Sequence, residues 1–358
     1  MKIGLLTFHR AHNYGAVLQC YALQQVLRSF GHDVEIIDYR QPFIEKLYRV
    51  HLNKKLILRL IISFGFREIV RYIKQDYVQS IKSYLFFKSF RKKYLQVSSI
   101  RSETDTFYEF DAIVIGSDQL WSLYCTKRYE KLYWGDLLHS NDAKVIGYAI
   151  SSVLDFEELI SLQKVQANLG NFTALSLREK SAQQYFIDKF GLYYPTTLDP
   201  TLLTTPATWT PLINKSWEQR EYVVVYELRI PCGEYNFVFD KASLYAKENS
   251  LEIIDLSNMN YSVEDFVSII SCARAVFTSS FHAIVFSLIF SRPFCAFDLG
   301  DGKEIRYTNL LNALGLQDFI FTRNSVITML PKIKEMNIES KLEDLRKESM
   351  SFLKNSLK

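Results

Sequence analysis

The first 38 residues confine this chain to a narrow set of folds. Ile3-Gly4-Leu5-Leu6-Thr7 is an apolar run of strand length, and Val34-Glu35-Ile36-Ile37-Asp38 is a second. Between them, residues 16–30 (AVLQCYALQQVLRSF) place Leu18, Ala22 and Val26 on one helical face, and Gly31 follows as the expected stop. A strand that reaches the next through a helix pairs with it in parallel, so the chain opens with a βαβ unit. Parallel sheets are covered by helices on both faces, which commits the chain to an α/β architecture.

The pattern continues. Further strands are predicted at Ala112–Ile115, Val145–Tyr148, Ala174–Leu177, Tyr222–Tyr226, Glu252–Asp255, Ala275–Thr278 and Phe294–Phe297, with helical stretches such as Val263–Cys272 between most of them. The Pro/Thr/Trp-rich stretch 204–221 is the natural boundary. It divides an N-terminal Rossmann-like domain over residues 1–205 from a C-terminal one over 220–335. Ile338–Leu357 is a charged amphipathic helix, expected to pack back on the N-terminal domain.

A chain of 358 residues, 48% hydrophobic and 23% charged, has material for two cores. Its apolar runs fall short of the ~20 residues a membrane-spanning helix needs. The opening IGLLTF reads as a strand rather than a signal peptide. Five scattered cysteines (Cys20, Cys125, Cys232, Cys272, Cys295), without a CxxC, suit a reducing compartment, and no zinc spacing is present. The expected location is cytoplasmic.

Charge is uneven. Residues 46–93 hold thirteen Lys/Arg against Glu68 and Asp76, a net +11 in a chain of net +4. This basic, aromatic-rich region, about 44–95, reads as a helical insertion in the N-terminal domain. A solvated insertion, a membrane-surface helix and an acceptor-binding arm all fit it. No nucleic-acid motif accompanies the charge.

Open α/β sheets bind ligands beyond the carboxyl ends of their strands. Four turns occupy such positions. The first, residues 9–16, carries Asn13, Tyr14 and Gly15 ahead of a helix whose free N–H groups suit an anion. The second is Gly116-Ser117-Asp118-Gln119. The third, Ser176-Leu177-Arg178-Glu179-Lys180, brings an arginine to a helix start. The fourth is Thr278-Ser279-Ser280-Phe281-His282, where a titratable ring meets a strongly apolar helix. Each also has a plain structural reading, as turn, cap or surface pair.

Taken together and in this order, IGLLTFHRAHNYGAVLQCYAL, DAIVIGSDQLWS, GYAIS, LSLREKSA, LDPTLL and AVFTSSFHAIVFSLIFSRPF make the chain resemble the polysaccharide pyruvyl transferase family over nearly its whole length. The resemblance implies two Rossmann-like domains arranged as in GT-B glycosyltransferases. It also implies transfer of pyruvate from phosphoenolpyruvate onto two hydroxyls of a sugar in a surface-polysaccharide precursor, giving a cyclic ketal and phosphate. That chemistry needs cations for a carboxylate and a phosphate, an acid for the enol methylene and a base for the hydroxyl.

His282 is the candidate for proton transfer or for holding phosphate, Arg178 for an anion clamp, and Asp118 for orienting an acceptor hydroxyl. Asn13, Tyr14, Gly15, Gly116, Ser117, Ser279 and Ser280 are expected to bind substrate, with Lys303 and Arg306 adding charge from the facing domain. No metal or cofactor is demanded, although magnesium on the phosphate remains compatible. The acceptor is a nucleotide sugar or a lipid-linked saccharide; in the lipid-linked case the basic insertion would dock on an anionic inner membrane face.

The chain departs from the family phrases in several places: Ser280 stands where some branches carry the arginine of Arg-x-His, Ser279 stands for an acid, Ala283 for a glycine whose place a phosphate would approach, and Ser152-Val153 where glycine is commoner. Two other readings share the architecture. One is a nucleotide-sugar glycosyltransferase, against which the missing Glu-x₇-Glu pair counts; the other is a non-catalytic member of a polysaccharide assembly complex.

Overall fold

The computed structural model describes every residue except 51–76, 138–142, 152–156, 158–159, 228–235, 301–303, 328 and 331–337. Two parallel sheets organise it. Strands β1 (Lys2–Leu6), β2 (Asp33–Tyr39), β3 (Val97–Arg101), β4 (Ala112–Asp118), β5 (Lys144–Ile150) and β6 (Ala174–Leu177) form a sheet ordered β3-β2-β1-β4-β5-β6. Strands β7 (Tyr222–Tyr226), β8 (Glu252–Asp255), β9 (Ala275–Thr278), β10 (Phe294–Phe297) and β11 (Ile320–Phe321) form a second, ordered β11-β10-β9-β7-β8. Both orders reverse direction once. The reversals fall between β1 and β4 in the first sheet and between β7 and β9 in the second, the crevices where such sheets receive ligands. The fold is the expected α/β one, two Rossmann-like parallel sheets.

The central strands are buried on both faces: all five residues of β7 and all four of β9 and β10 are buried, as their unbroken apolar sequences require. Two strands lie outside the sequence expectation. β3 (VSSIR) is a partly exposed edge strand with little apolar signal, and β11 has only two residues.

Helix α1 (Tyr14–Ser29) begins two residues before the apolar pattern, because Asn13 Oδ1 accepts the Ala16 N–H (3.1 Å) and draws Tyr14 and Gly15 into the first turn. Gly31, at φ +86°, ends it by returning its N–H to Arg28 O (2.9 Å). α1 lies between the two sheets and contributes to a core that contains residues of both. Its Tyr14 ring stacks on Phe266 (4.4 Å between centroids), and its hydroxyl donates to Tyr261 O (2.7 Å).

Of the basic insertion, α2 (Pro42–Leu47) and α3 (Val78–Tyr94) are described and residues 51–76 are not. α3 buries Phe87, Phe90 and Arg91 and leaves Lys88, Lys92 and Lys93 outside. No described helix is long and apolar enough to cross a membrane. Other helices include α4 (Lys180–Phe190), α5 (Val263–Cys272), α6 (Phe281–Ile289) and α7 (Ile305–Leu314). The last helix, α8 (Ile338–Leu357), lies against the 198–204 segment and β5. Arg346 Nε donates to Leu202 O (2.7 Å), and Leu198 N donates to Ser349 Oγ (3.0 Å).

Candidate active site

The two reversal points face one another across a cleft of about 750 Å³. From the first sheet, the turn after β1 supplies Phe8 and Asn13, and the end of β4 supplies Asp118 and Gln119. From the second, the end of β7 supplies Tyr226 and Glu227, and the turn after β9 supplies Ser279, Ser280 and His282. Phe43, Leu47, Tyr48 and Tyr124 make an aromatic and apolar wall on one side, and Arg306 at the start of α7 closes the other. The cavity is of the size that takes a small ligand.

His282 is the second residue of α6 and one of the more constrained groups in the cleft. A Cβ at Gly15 would fall 2.1 Å from its Nδ1 and 2.5 Å from its Cγ, so the glycine of α1 is the space the imidazole occupies. The Phe281 ring stands perpendicular to it, 5.2 Å away. Its Nε2 makes no hydrogen bond among the described residues but lies 3.7 Å from Asp199 Oδ2.

Asp199 is inaccessible to solvent and heavily bonded. Oδ1 accepts from Thr201 N (3.0 Å) and Thr201 Oγ1 (2.6 Å), and Oδ2 accepts from Arg178 Nη1 (2.9 Å). Burial alone would raise the pKa of this carboxyl. The facing His282, the Arg178 guanidinium and the Thr201 bonds outweigh burial and hold it well below the usual carboxylate range.

Arg178 lies beneath the cleft rather than in it. All three of its nitrogens are engaged: Nε with Glu179 Oε1 (3.0 Å), Nη1 with Asp199, and Nη2 with Ser151 Oγ (2.8 Å). Its guanidinium carbon sits 4.8 Å from the Phe281 ring centre. Burial disfavours the cation, but Glu179, Asp199 and Asp118 more than compensate and push its pKa up. The clamp expected to face an anion is thus a buried cation shared by two carboxylates.

A family model for polysaccharide pyruvyl transferases matches residues 13–301, a span that holds β4, the reversal point of the second sheet and the whole His282–Asp199–Arg178 cluster. The chain belongs to that family.

The other candidate residues fall into two layers. Asn13, Asp118, Ser279, Ser280 and Arg306 reach the cleft surface. Asp118 does so from a backbone at φ +88°, its Oδ1 accepting its neighbour's Gln119 N–H (2.9 Å). Gly15 meets the cleft through the His282 ring. Tyr14, Gly116 and Ser117, expected to bind substrate, lie below it. Tyr14 is consumed by its contacts with Phe266 and Tyr261. Gly116, at φ +130°, is required because a Cβ there would fall 2.1 Å from Tyr148 O, so the close approach it permits is to β5. Ser117 is buried, donates Oγ to Ala149 O (2.8 Å) and lies 3.5 Å from Asp199 Oδ2.

Lys303, Ser152 and Val153 lie outside the described residues. The Ala283 methyl is fully buried and absent from the cleft wall, so it does not obstruct a phosphate there.

Two groups escape the sequence reading: Asp199, buried behind His282, and Glu227, which lines the cleft. Asp199 sits in LDPTLL, where an Asp-Pro reads as a helix cap. Glu227 directly follows β7 at the reversal point, a position that the rule for such sheets marks in advance. Among the described residues no three His, Cys, Asp or Glu side chains gather as metal ligands.

Similarity to solved structures spans the whole chain. The UDP-GlcNAc 2-epimerase of Methanocaldococcus jannaschii is similar over 98% of this chain and 99% of its own, at a TM-score of 0.45 and 11% identity. Arabidopsis thaliana UGT89C1, complexed with UDP, is similar over 100% and 98%, at 0.44 and 11%. Phytolacca americana UGT2, complexed with UDP-2fluoro-glucose and pterostilbene, is similar over 99% and 94%, at 0.39 and 10%. No curated protein matches the chain.

Proposed function

We propose that this pyruvyl transferase takes pyruvate from phosphoenolpyruvate and fixes it as a cyclic ketal on two hydroxyls of a sugar, in a precursor of a surface polysaccharide, releasing phosphate. The observation that carries the reading is the His282–Asp199–Arg178 relay at the joint of the two sheets. It is an imidazole that lines the cleft, backed by a carboxylate that its surroundings keep charged. Carbon protonation of an enol needs a positioned proton donor, and the buried carboxylate behind the ring fixes its orientation.

In this reading His282 delivers the proton to the methylene carbon. Arg178 and Thr201 keep Asp199 ionised and aimed. Donor anions are met by Arg306 and by the free N–H groups at the start of α6, where Ser280 provides no side-chain cap. Asp118 accepts an acceptor hydroxyl, and the aromatic wall of Phe43, Tyr48 and Tyr124 offers flat faces to a sugar ring.

The test is a thermal shift with phosphoenolpyruvate and with UDP-sugars, followed by phosphate release. A ligand at about 100 times its Kd stabilises the fold by about 2.7 kcal/mol. Stabilisation by phosphoenolpyruvate, with phosphate release abolished in His282→Ala, is the expected outcome. Stabilisation by UDP-sugars alone, with no phosphate released from phosphoenolpyruvate, would sink the reading in favour of a nucleotide-sugar glycosyltransferase.

A further inference from the structure

Ketal formation draws two protons from the acceptor and requires somewhere to put them. One hydroxyl oxygen bonds to C2 of the enol while C3 gains a proton. The second oxygen then bonds to C2 as the C2–O bond to phosphate breaks, the electron pair leaving with phosphate. One proton ends on the methyl group and one on the phosphate, so the step balances without a further reagent. His282 feeds the carbon. A separate group must first relieve the attacking hydroxyl, because a ring that is donating its proton is not at that moment a base.

We propose that Glu227 is that base. This assignment rests on the pyruvyl-transfer reading above and adds a catalytic residue to it. Glu227 follows β7, whose last residue, Tyr226, pairs with Thr278 of β9, so the carboxylate emerges beside the Ser279–His282 turn. The peptide that precedes it is held at both its N–H and its carbonyl. Glu227 N donates to Ser257 Oγ (2.8 Å), and the preceding carbonyl, Tyr226 O, accepts from Thr278 Oγ1, the same oxygen that receives Ser280 N (2.9 Å). The residue is only 5% exposed, yet it lines the cleft. It stands at the reversal point of the second sheet, as Asp118 stands at that of the first. A diol entering between the sheets would therefore meet one carboxylate from each.

The experiment compares wild type, Glu227→Gln and Glu227→Asp. Stabilisation by phosphoenolpyruvate is one readout; phosphate release with a panel of UDP-hexoses and methyl hexopyranosides is the other. Glu227→Gln keeps the phosphoenolpyruvate-induced shift, loses about 100-fold or more in kcat and loses the acid limb of the kcat/KM profile, while Glu227→Asp recovers part of the rate. A Glu227→Gln enzyme within threefold of wild-type kcat overturns the role. So does a Glu227→Gln protein that no longer responds to phosphoenolpyruvate, since that places the carboxylate in donor binding. A wild-type protein that ignores phosphoenolpyruvate and releases no phosphate overturns the activity itself, and this role with it.

Discussion

Gly15→Ala isolates the His282 ring from everything else in the cleft. The added carbon would sit 2.1 Å from Nδ1, 2.5 Å from Cγ and 2.6 Å from Cε1, directly over the imidazole. Non-bonded carbon and nitrogen atoms settle near 3.5 Å, so the ring must retreat by roughly 1.4 Å or α1 and α6 must part by as much. Alanine favours the helix by ~0.5–1 kcal/mol over glycine, and overpacking costs ~1–3 kcal/mol, so the net loss of stability is at most about 2.5 kcal/mol. The protein stays folded. A catalytic group displaced by about 1 Å costs on the order of 100-fold in rate, or about 2.7 kcal/mol of barrier. Urea melts and phosphate release from phosphoenolpyruvate measure the two quantities separately. A Gly15→Ala enzyme that remains within threefold of wild type, while His282→Ala is inactive, would show that the position of the ring is not what the chemistry depends on.

Asp199→Asn removes one of Arg178's two carboxylates and should cost ~3–5 kcal/mol at pH 7 in urea melts, as breaking a buried pair does. The native pKa of Asp199 is depressed, so this contribution is complete above the ordinary carboxylate range and is lost as pH falls below about 4; the gap between wild type and variant should narrow there. His12 behaves oppositely in sign of charge. Burial, then Arg91 and Arg10, lower its pKa to about 4, so the unfolded chain takes up the proton first as pH drops below ~6.5. Stability relative to His12→Phe should therefore fall between those two values and level off beneath them. Ala283→Gly should cost about 1–2 kcal/mol, from helix propensity and a lost buried methyl, without tightening phosphoenolpyruvate binding; a threefold gain in affinity would mean that the methyl does face the ligand.

What the sequence discloses depends on the kind of signal. β7, β8, β9 and β10 are apolar runs flanked by polar turns, and their limits coincide with the sequence pattern. β3 is polar because it is an edge, and β11 is too short to carry a period. The turns that end at the cleft are visible because Arg, His and Asp are unusual company for buried strand ends. The direction in which each side chain points is not. Arg178 looks like an anion clamp in sequence, but Glu179 and Asp199, one and twenty-one residues away, take its donors inward. The partnership of Asp199 with His282 joins residues 83 positions apart across two sheets, and no local pattern encodes it.

That partnership also explains what the final helix is for. Reversal points in the sheets create cleft surface, but the groups that aim a surface side chain must come from the chain passing behind it. Here that chain is the 198–204 segment, which crosses between the sheets before β7. α8 grips it on either side of Asp199: Leu198 N donates to Ser349 Oγ (3.0 Å), and Arg346 donates Nε to Leu202 O (2.7 Å) and Nη2 to Thr204 O (3.3 Å). Arg346 is nearly buried, and hydrogen bonds from a charged donor contribute about 1.5–3 kcal/mol each. A helix 147 residues beyond Asp199 in sequence, at Arg346, thus sets where the carboxylate stands. The first sheet, the second sheet and the C-terminal helix meet on one oxygen atom, Asp199 Oδ2, through Arg178, His282 and the segment that α8 holds in place.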